Sequence, residues 1–247
     1  MLTVLPARGV RSAFFPADAA EEARRAVPGL AVSTAVRDGD PVERLLEAAR
    51  DAEALVVGRG RGALGGLALG SVAAELAARS VRPTVVVPEG QRPRPEGPVV
   101  VGVDGTPAGE AALGYAFAAA DRESVPLVAV HVWRDLDDPE WSPAFADDAD
   151  DADGADDADG PAATPEAELL AERLAGWSAT YPDVEVQRRL PEGRAAGVLV
   201  RWSGSARLLV LGTRGRRGLT ALGRSVSRSV LGRTACPVAV VPPHDRA

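Results

Sequence analysis

The chain has 247 residues and a formal charge of −7, a length that suits two small domains. Twelve of its acids lie between Asp135 and Pro165 with no basic residue among them, so the acidity belongs to one segment and the rest of the chain is net positive. Every basic residue is Arg, which excludes a Lys-bearing Walker A loop, a pyridoxal Schiff base and any Lys nucleophile. The single cysteine, Cys236, permits no internal disulfide and suits a reducing cytosol. It reads as a small apolar residue beside a strand rather than a reactive thiol. One Cys and two His make no zinc constellation. The apolar N-terminal stretch is too short for a signal peptide, and no run approaches the ~20 apolar residues of a membrane span. These features predict a cytoplasmic protein without a membrane partner.

In chain order, residues 2–5 read as a short strand. Asp40-Pro41-Val42-Glu43 is a capping box with proline at the first helical position. Residues 54–57 and 84–87 are apolar strand runs, the first leading into a glycine-rich loop. A polar, proline-rich stretch at 89–98 follows and reads as a linker. Residues 99–103 are a continuous apolar run of the buried parallel kind. Thr106-Pro107 then opens a helix, and 127–132 is the next strand. Thr164-Pro165 opens a helix to about Ser178. A short strand is expected at 184–186, a helix from Arg194 to about Ser203, and a strand at 208–211. After a second glycine-rich loop come a helix from Ser225 and a strand at 238–241. Strands alternating with helices imply a parallel sheet covered on both faces.

Shifting the sequence by 154 residues places Gly39 on Gly193, Gly58 on Gly212, Ser71 on Ser225, Arg79 on Arg233 and Pro83 on Pro237. The chain therefore holds one unit twice: residues 1–90, a linker at 91–98, and residues 99–247. Unit one lacks a counterpart of residues 99–126, the first strand and helix of unit two. The late start implies either a start codon placed too far downstream or a strand supplied by another chain. Unit two carries an insertion at about 135–163. Its core, residues 147–159, is an Asp-Ala repeat in which like charges repel and little apolar area offsets the ordering entropy. A disordered, solvated loop is expected, and as a mobile acidic lid it would repel phosphate. Asp151-Ala-Asp153-Gly154 hints at a calcium loop, but the position that needs Glu falls on Ala162.

The two glycine loops are candidate phosphate sites. Glycines let backbone N–H groups approach an anion closely, and a following helix with a Ser at its start adds a donor. The alternative is that they only form turns. Gly60-Arg-Gly62-Ala-Leu-Gly65 satisfies G-x-G-x-x-G, but the shifted copy does not reproduce it.

Val101-Gly-Val-Asp104-Gly-Thr106, Val130-His-Val132, the loop that opens Leu-Gly212-Thr-Arg-Gly215, and Ala235-Cys-Pro-Val-Ala-Val-Val241 together carry a family resemblance. The chain resembles a tandem universal stress protein of the UspA-like, adenine-nucleotide-binding family. The resemblance implies two tandem doubly wound parallel-sheet domains, Rossmann-like and similar to the adenine nucleotide alpha hydrolases. It also implies that residues 84–87 and 238–241 pair, so that the units form an intrachain pseudo-dimer, with further dimerisation left open. In the family an Asp after strand one faces adenine, a strand-two backbone contacts the base, and G-x2-G-x9-G-[S/T] follows strand four. On this chain those places fall on Asp104, Val132, Gly212, Gly215 and Ser225. Arg224 stands where the third glycine belongs, one residue early. In unit one Gly60, Gly70 and Ser71 match the second half of the pattern, while Gly58 and Gly60 enclose one residue rather than two.

Unit two thus holds a base-binding half and an altered phosphate loop, and unit one a phosphate loop alone. The resemblance implies a stress-response protein that binds ATP or AMP or is a degenerate regulator, with weak or absent binding in unit two and none in isolated unit one. The alternative is a nucleotide-free protein-interaction scaffold with an unidentified protein partner. A phosphotransfer enzyme lacks Lys and a catalytic set, and neither a catalytic residue nor a structural metal is expected. Arg214, Arg216, Arg217 and Arg228 crowd the second loop, but no aromatic residues interleave with them, which argues against nucleic acid. His131 reads as structural.

Overall fold

The computed structural model describes residues 2–5, 16–60, 70–90, 94–132, 164–213 and 226–243. The acidic insertion, with the disorder and lid expected of it, lies outside the described residues. Unit one contains β1 (Leu2–Leu5), α1 (Pro16–Ala26), β2 (Ala35–Asp38), α2 (Pro41–Ala49), β3 (Leu55–Gly58), α3 (Ser71–Arg79) and β4 (Thr84–Val87). Unit two contains β5 (Val99–Gly102), α4 (Pro107–Glu123), β6 (Leu127–Val130), α5 (Pro165–Thr180) and β7 (Val186–Arg189). It continues with α6 (Ala195–Ser203), β8 (Leu208–Gly212), α7 (Val226–Leu231) and β9 (Val238–Val241).

Side-chain caps start the helices where the sequence places them. The Glu43 N–H donates to Asp40 Oδ1 at 3.0 Å, the Gly109 N–H to Thr106 Oγ1 at 3.1 Å, and the Ala167 N–H to Thr164 Oγ1 at 3.2 Å. Each satisfies a donor that the first helical turn leaves orphaned, and each is followed by proline at the first turn. The expected strand at 184–186 pairs instead over Val186–Arg189. Val184 sits in the turn after α5, where its N–H donates to the Tyr181 carbonyl. Its side chain anchors the core ahead of the strand, so burial there does not report pairing.

The expectation of two tandem parallel-sheet domains forming a pseudo-dimer is corrected. The chain forms one mixed seven-stranded sheet in the order β3-β4-β9-β8-β5-β6-β7, beside a separate two-stranded sheet, β1-β2. The final strands of the two units do pair, antiparallel, with Thr84 opposite Val240 and Val86 opposite Val238. That pairing fuses what would be two sheets into one. The core is likewise shared, since Ala73, Ala77 and Val86 of unit one are buried in the same cluster as Val198, Leu199, Val230, Leu231 and Val238 of unit two. Unit one builds no single continuous sheet of its own for a topological reason. In unit two β5 pairs with β6 on one side and β8 on the other. The described part of unit one has no strand in that central place, so β1-β2 and β3-β4 stay apart.

Alternation along the strands divides the core into two layers. Val99, Val101, Leu127 and Ala129 face α4 and α5, while Val100, Val128 and Val130 face α6 and α7. Over the first layer Phe117, Trp177 and Tyr181 stack at centroid distances of 5.8–6.4 Å. The Trp177 indole N–H donates to Glu110 Oε1 at 2.7 Å. A Cβ on Gly114 would lie 2.5 Å from the Trp177 ring, so glycine there lets α5 approach α4.

Candidate functional site

Within unit two the strands run parallel in the order β9-β8-β5-β6-β7. The chain turns to opposite sides of β5 on leaving it and on returning through β8, so a crevice must open where their carboxyl ends meet. A cavity of about 220 Å3 lies there, walled by Gly102, Val103, Asp104, Val130, His131, Val132, Leu199, Leu211, Gly212, Val226 and Ser227.

Asp104 leaves the end of β5 into the α4 cap. Its Oδ1 accepts from the Thr106 N–H at 3.0 Å and from Thr106 Oγ1 at 2.7 Å, and Thr106 Oγ1 in turn caps α4. The carboxylate is exposed at the cleft and orientated by this turn, and two bonds leave an ionised carboxylate further acceptor capacity. His131 follows β6. Its backbone N–H donates to the Arg189 carbonyl at 2.9 Å, and its Nδ1 lies 2.8 Å from the Val103 carbonyl. A carbonyl only accepts, so Nδ1 carries a proton, and in the neutral ring Nε2 is then an acceptor. The histidine is thus structural, as the sequence suggests, and also lines the cleft. Val132 stands one residue beyond it, past the paired register of β6.

Gly212 ends β8 and is glycine for a packing reason. A Cβ there would lie 2.6 Å from the Ala108 carbonyl carbon and oxygen and 2.8 Å from the Gly109 nitrogen. Gly109 itself makes room for the Asp104 carboxylate, whose Oδ1 a Cβ would meet at 2.5 Å. The end of β8 and the first turn of α4 therefore meet with no space for a side chain between them.

Asp104, Val132 and Gly212 are brought together in this cleft. Gly215, Arg224 and Ser225 lie outside the described residues. Gly58, Gly60, Gly70 and the Ser71 position gather at the end of β3 and contribute nothing to this lining. There Gly60 has φ +70, a conformation that favours glycine. The Gly70 N–H donates to the Arg59 carbonyl at 3.0 Å, and a Cβ on Gly70 would meet that oxygen at 2.9 Å. Arg59 and Gly70 are thus joined backbone to backbone, which commits a Gly70 N–H that an anion would need. A Cβ on Gly58 would meet nothing within 4 Å.

Sequence reasoning missed Gly102, Val103, Val130, His131, Ala195, Leu199, Leu211, Val226 and Ser227 as cleft residues. Their convergence depends on the sheet order. Gly102, Val103, Val130 and His131, inside Val101-Gly-Val-Asp104 and Val130-His-Val132, carried a local signal.

Among the described residues no group of three or more His, Cys, Asp or Glu gathers to hold a metal, and no helix is long and apolar enough to cross a membrane. Cys236 is buried, and burial pushes its thiol up to about 12.

A crevice at the strand-order reversal of the parallel part of the sheet, edged by an acid, defines a doubly wound, Rossmann-like protein. The universal stress protein family pattern matches residues 5–88 and again 97–242, and the chain belongs to that family. A universal stress protein of Mycolicibacterium smegmatis is 39% identical over 221 residues, covering 87% of this chain and 70% of that one. Universal stress protein Rv2005c of Mycobacterium tuberculosis is 40% identical over 227 residues, covering 90% and 72%. A universal stress protein from Archaeoglobus fulgidus superposes with a TM-score of 0.63 at 20% identity, over 94% of this chain and 76% of that one, a likeness of fold.

Proposed function

We propose that the chain is a non-catalytic, adenine-nucleotide-binding regulator of the stress response, with its site in the unit-two cleft. The observation that carries this reading is the meeting of Asp104, His131, Val132 and Gly212 at the switch point between β5 and β8. The apolar walls, Val130, Leu199, Leu211 and Val226, suit a planar base, and Asp104 with His131 Nε2 offers acceptors to an exocyclic amine. ATP or AMP is the expected ligand, and binding is expected to be weak because the phosphate loop departs from the family pattern at Arg224. Unit one, whose Gly70 N–H is already committed to the Arg59 carbonyl, is expected to bind none. Calorimetric titration of the full chain with ATP and AMP tests this. Micromolar or weaker binding that weakens about tenfold in Asp104→Ala supports it, and submicromolar binding would show that Arg224 replaces the missing glycine without loss.

A nucleotide-free scaffold is the second reading. It draws on Val56, which is 65% exposed on β3 although valine in a parallel sheet is ordinarily covered. No heat on titration, together with a partner captured only while Val56 is intact, would favour it.

A further inference from the structure

Thr213 in unit two occupies the place that Arg59 occupies in unit one, by the shift of 154. The two have parallel backbones: the Arg59 N–H donates to the Val87 carbonyl and the Thr213 N–H to the Val241 carbonyl, both at 2.8 Å. Their side chains differ in kind. The Arg59 side chain runs into the other unit and is only 8% exposed. Its Nη1 lies 3.3 Å from the Gly232 carbonyl oxygen and 3.4 Å from that of Thr234. These carbonyls lie in the turn just past the C-terminal end of α7 (Leu231), where the Thr234 N–H donates back to the Val230 carbonyl at 3.1 Å. A guanidinium suits that place, since it offers donors to carbonyls that have no helical partner and a positive charge to the negative end of the helix.

Arg59 is also held firmly at its base. Its N–H is taken by Val87 and its carbonyl by the Gly70 N–H, so both backbone polar groups are committed. The other end of α7 belongs to the cleft. Val226 and Ser227 line it, with Ser227 Oγ 3.5 Å from the Gly212 carbonyl. Six residues at 1.5 Å rise make the helix about 9 Å long, so the Arg59 grip and the cleft wall are the two ends of one short rod. Between them Val230 and Leu231 are buried in the same cluster as Ala73 and Ala77 of α3.

We propose that Arg59 is a positioning residue for the unit-two cleft. By gripping the turn that closes α7 it fixes where Val226 and Ser227 stand, and unit one serves as a brace for the site in the other unit. The proposal rests on the nucleotide reading for its consequence, though not for the brace itself.

The test uses the full chain with Arg59→Met, which keeps length but removes charge and donors, and Arg59→Lys, which restores a cation. Arg82→Met is the control, because Arg82 bonds only within unit one among the contacts described, donating to the Arg50 carbonyl at 2.9 and 3.2 Å. Amide hydrogen exchange over residues 226–234 is read without ligand, and ATP affinity by calorimetry. Arg59→Met should raise exchange in that segment and weaken ATP binding, each about tenfold, as loss of a charged hydrogen-bond donor implies. Arg59→Lys should recover part of both, and Arg82→Met should change neither. Unchanged exchange in Arg59→Met would overturn the brace whether or not ATP binds. Raised exchange with unchanged affinity would overturn its role in the cleft. If the wild type binds no ATP, the nucleotide reading fails and with it the positioning role, while exchange still decides the brace. Should Arg59→Met not fold, a smaller rise over the same residues in Arg59→Lys supports the brace, and none overturns it.

Discussion

Gly58 and Gly212 occupy the same place in the repeat, and the structure treats them oppositely. A side chain on Gly212 would drive into the Ala108–Gly109 backbone at 2.6–2.8 Å, whereas one on Gly58 would meet nothing within 4 Å. The difference lies in what stands beneath them. In unit two α4 begins directly under the end of β8, and no helix of the described unit one takes the corresponding position. A glycine retained in both copies thus supports a cleft in one and is surplus in the other, which is why loop motifs alone overstate unit one.

The largest effect that bears on this contrast comes from the shared core. Phe117→Ala should cost about 3–5 kcal/mol, because the ring is fully buried between Trp177 and Tyr181. Because β4 and β9 join one sheet, denaturation followed by tryptophan fluorescence and by circular dichroism should remain a single coincident transition. Two separated transitions would show that the units are independent after all. Next in size is the glycine pair itself. Gly212→Ala should destabilise by about 1–3 kcal/mol through overpacking and abolish measurable ATP binding. Gly58→Ala should stay within about 0.5 kcal/mol and leave binding alone. Equal effects at both positions in thermal melts would break the contrast.

Asp104→Ala should reduce ATP affinity about tenfold while costing about 1 kcal/mol, since only the hydrogen bonds to Thr106 are lost from the fold. A stability loss several times larger would make Asp104 chiefly a capping residue. The last effect, felt only in alkali, concerns Cys236. Its folded thiol is held up to about 12 against an unfolded value near 8.5. The neutral form therefore contributes stability that is complete below about pH 8.5 and is lost as pH rises toward 12. Cys236→Ala should flatten that alkaline fall in urea titrations, and the native thiol should resist alkylation at pH 7.5 for as long as the chain stays folded.

Much of this was legible in the sequence because it depends on near neighbours. Asp40, Thr106 and Thr164 each start a helix through a side chain that bonds three residues ahead. The alternation Val99/Val101 against Val100 follows from the pleat. The internal repeat and the place of Asp104 after a buried strand are equally local facts. The strand at Val186 was misplaced because Val184, though buried, serves a turn, and apolar character alone cannot separate the two.

What the sequence by itself determined is therefore the elements of unit two and most of those of unit one, though not α1 or β2, together with their alternation, the family and the identity of the acid at the cleft. Only the tertiary structure decided that the units share one sheet and one core, because whether two sheets close separately depends on a central strand bridging each of them. It alone also decided what the matched loop residues do. Arg59 and Thr213 share a backbone position, but the partners that give Arg59 its role are Gly232 and Thr234, more than 170 residues along the chain. No local pattern encodes a contact that only the folding of one unit against the other creates.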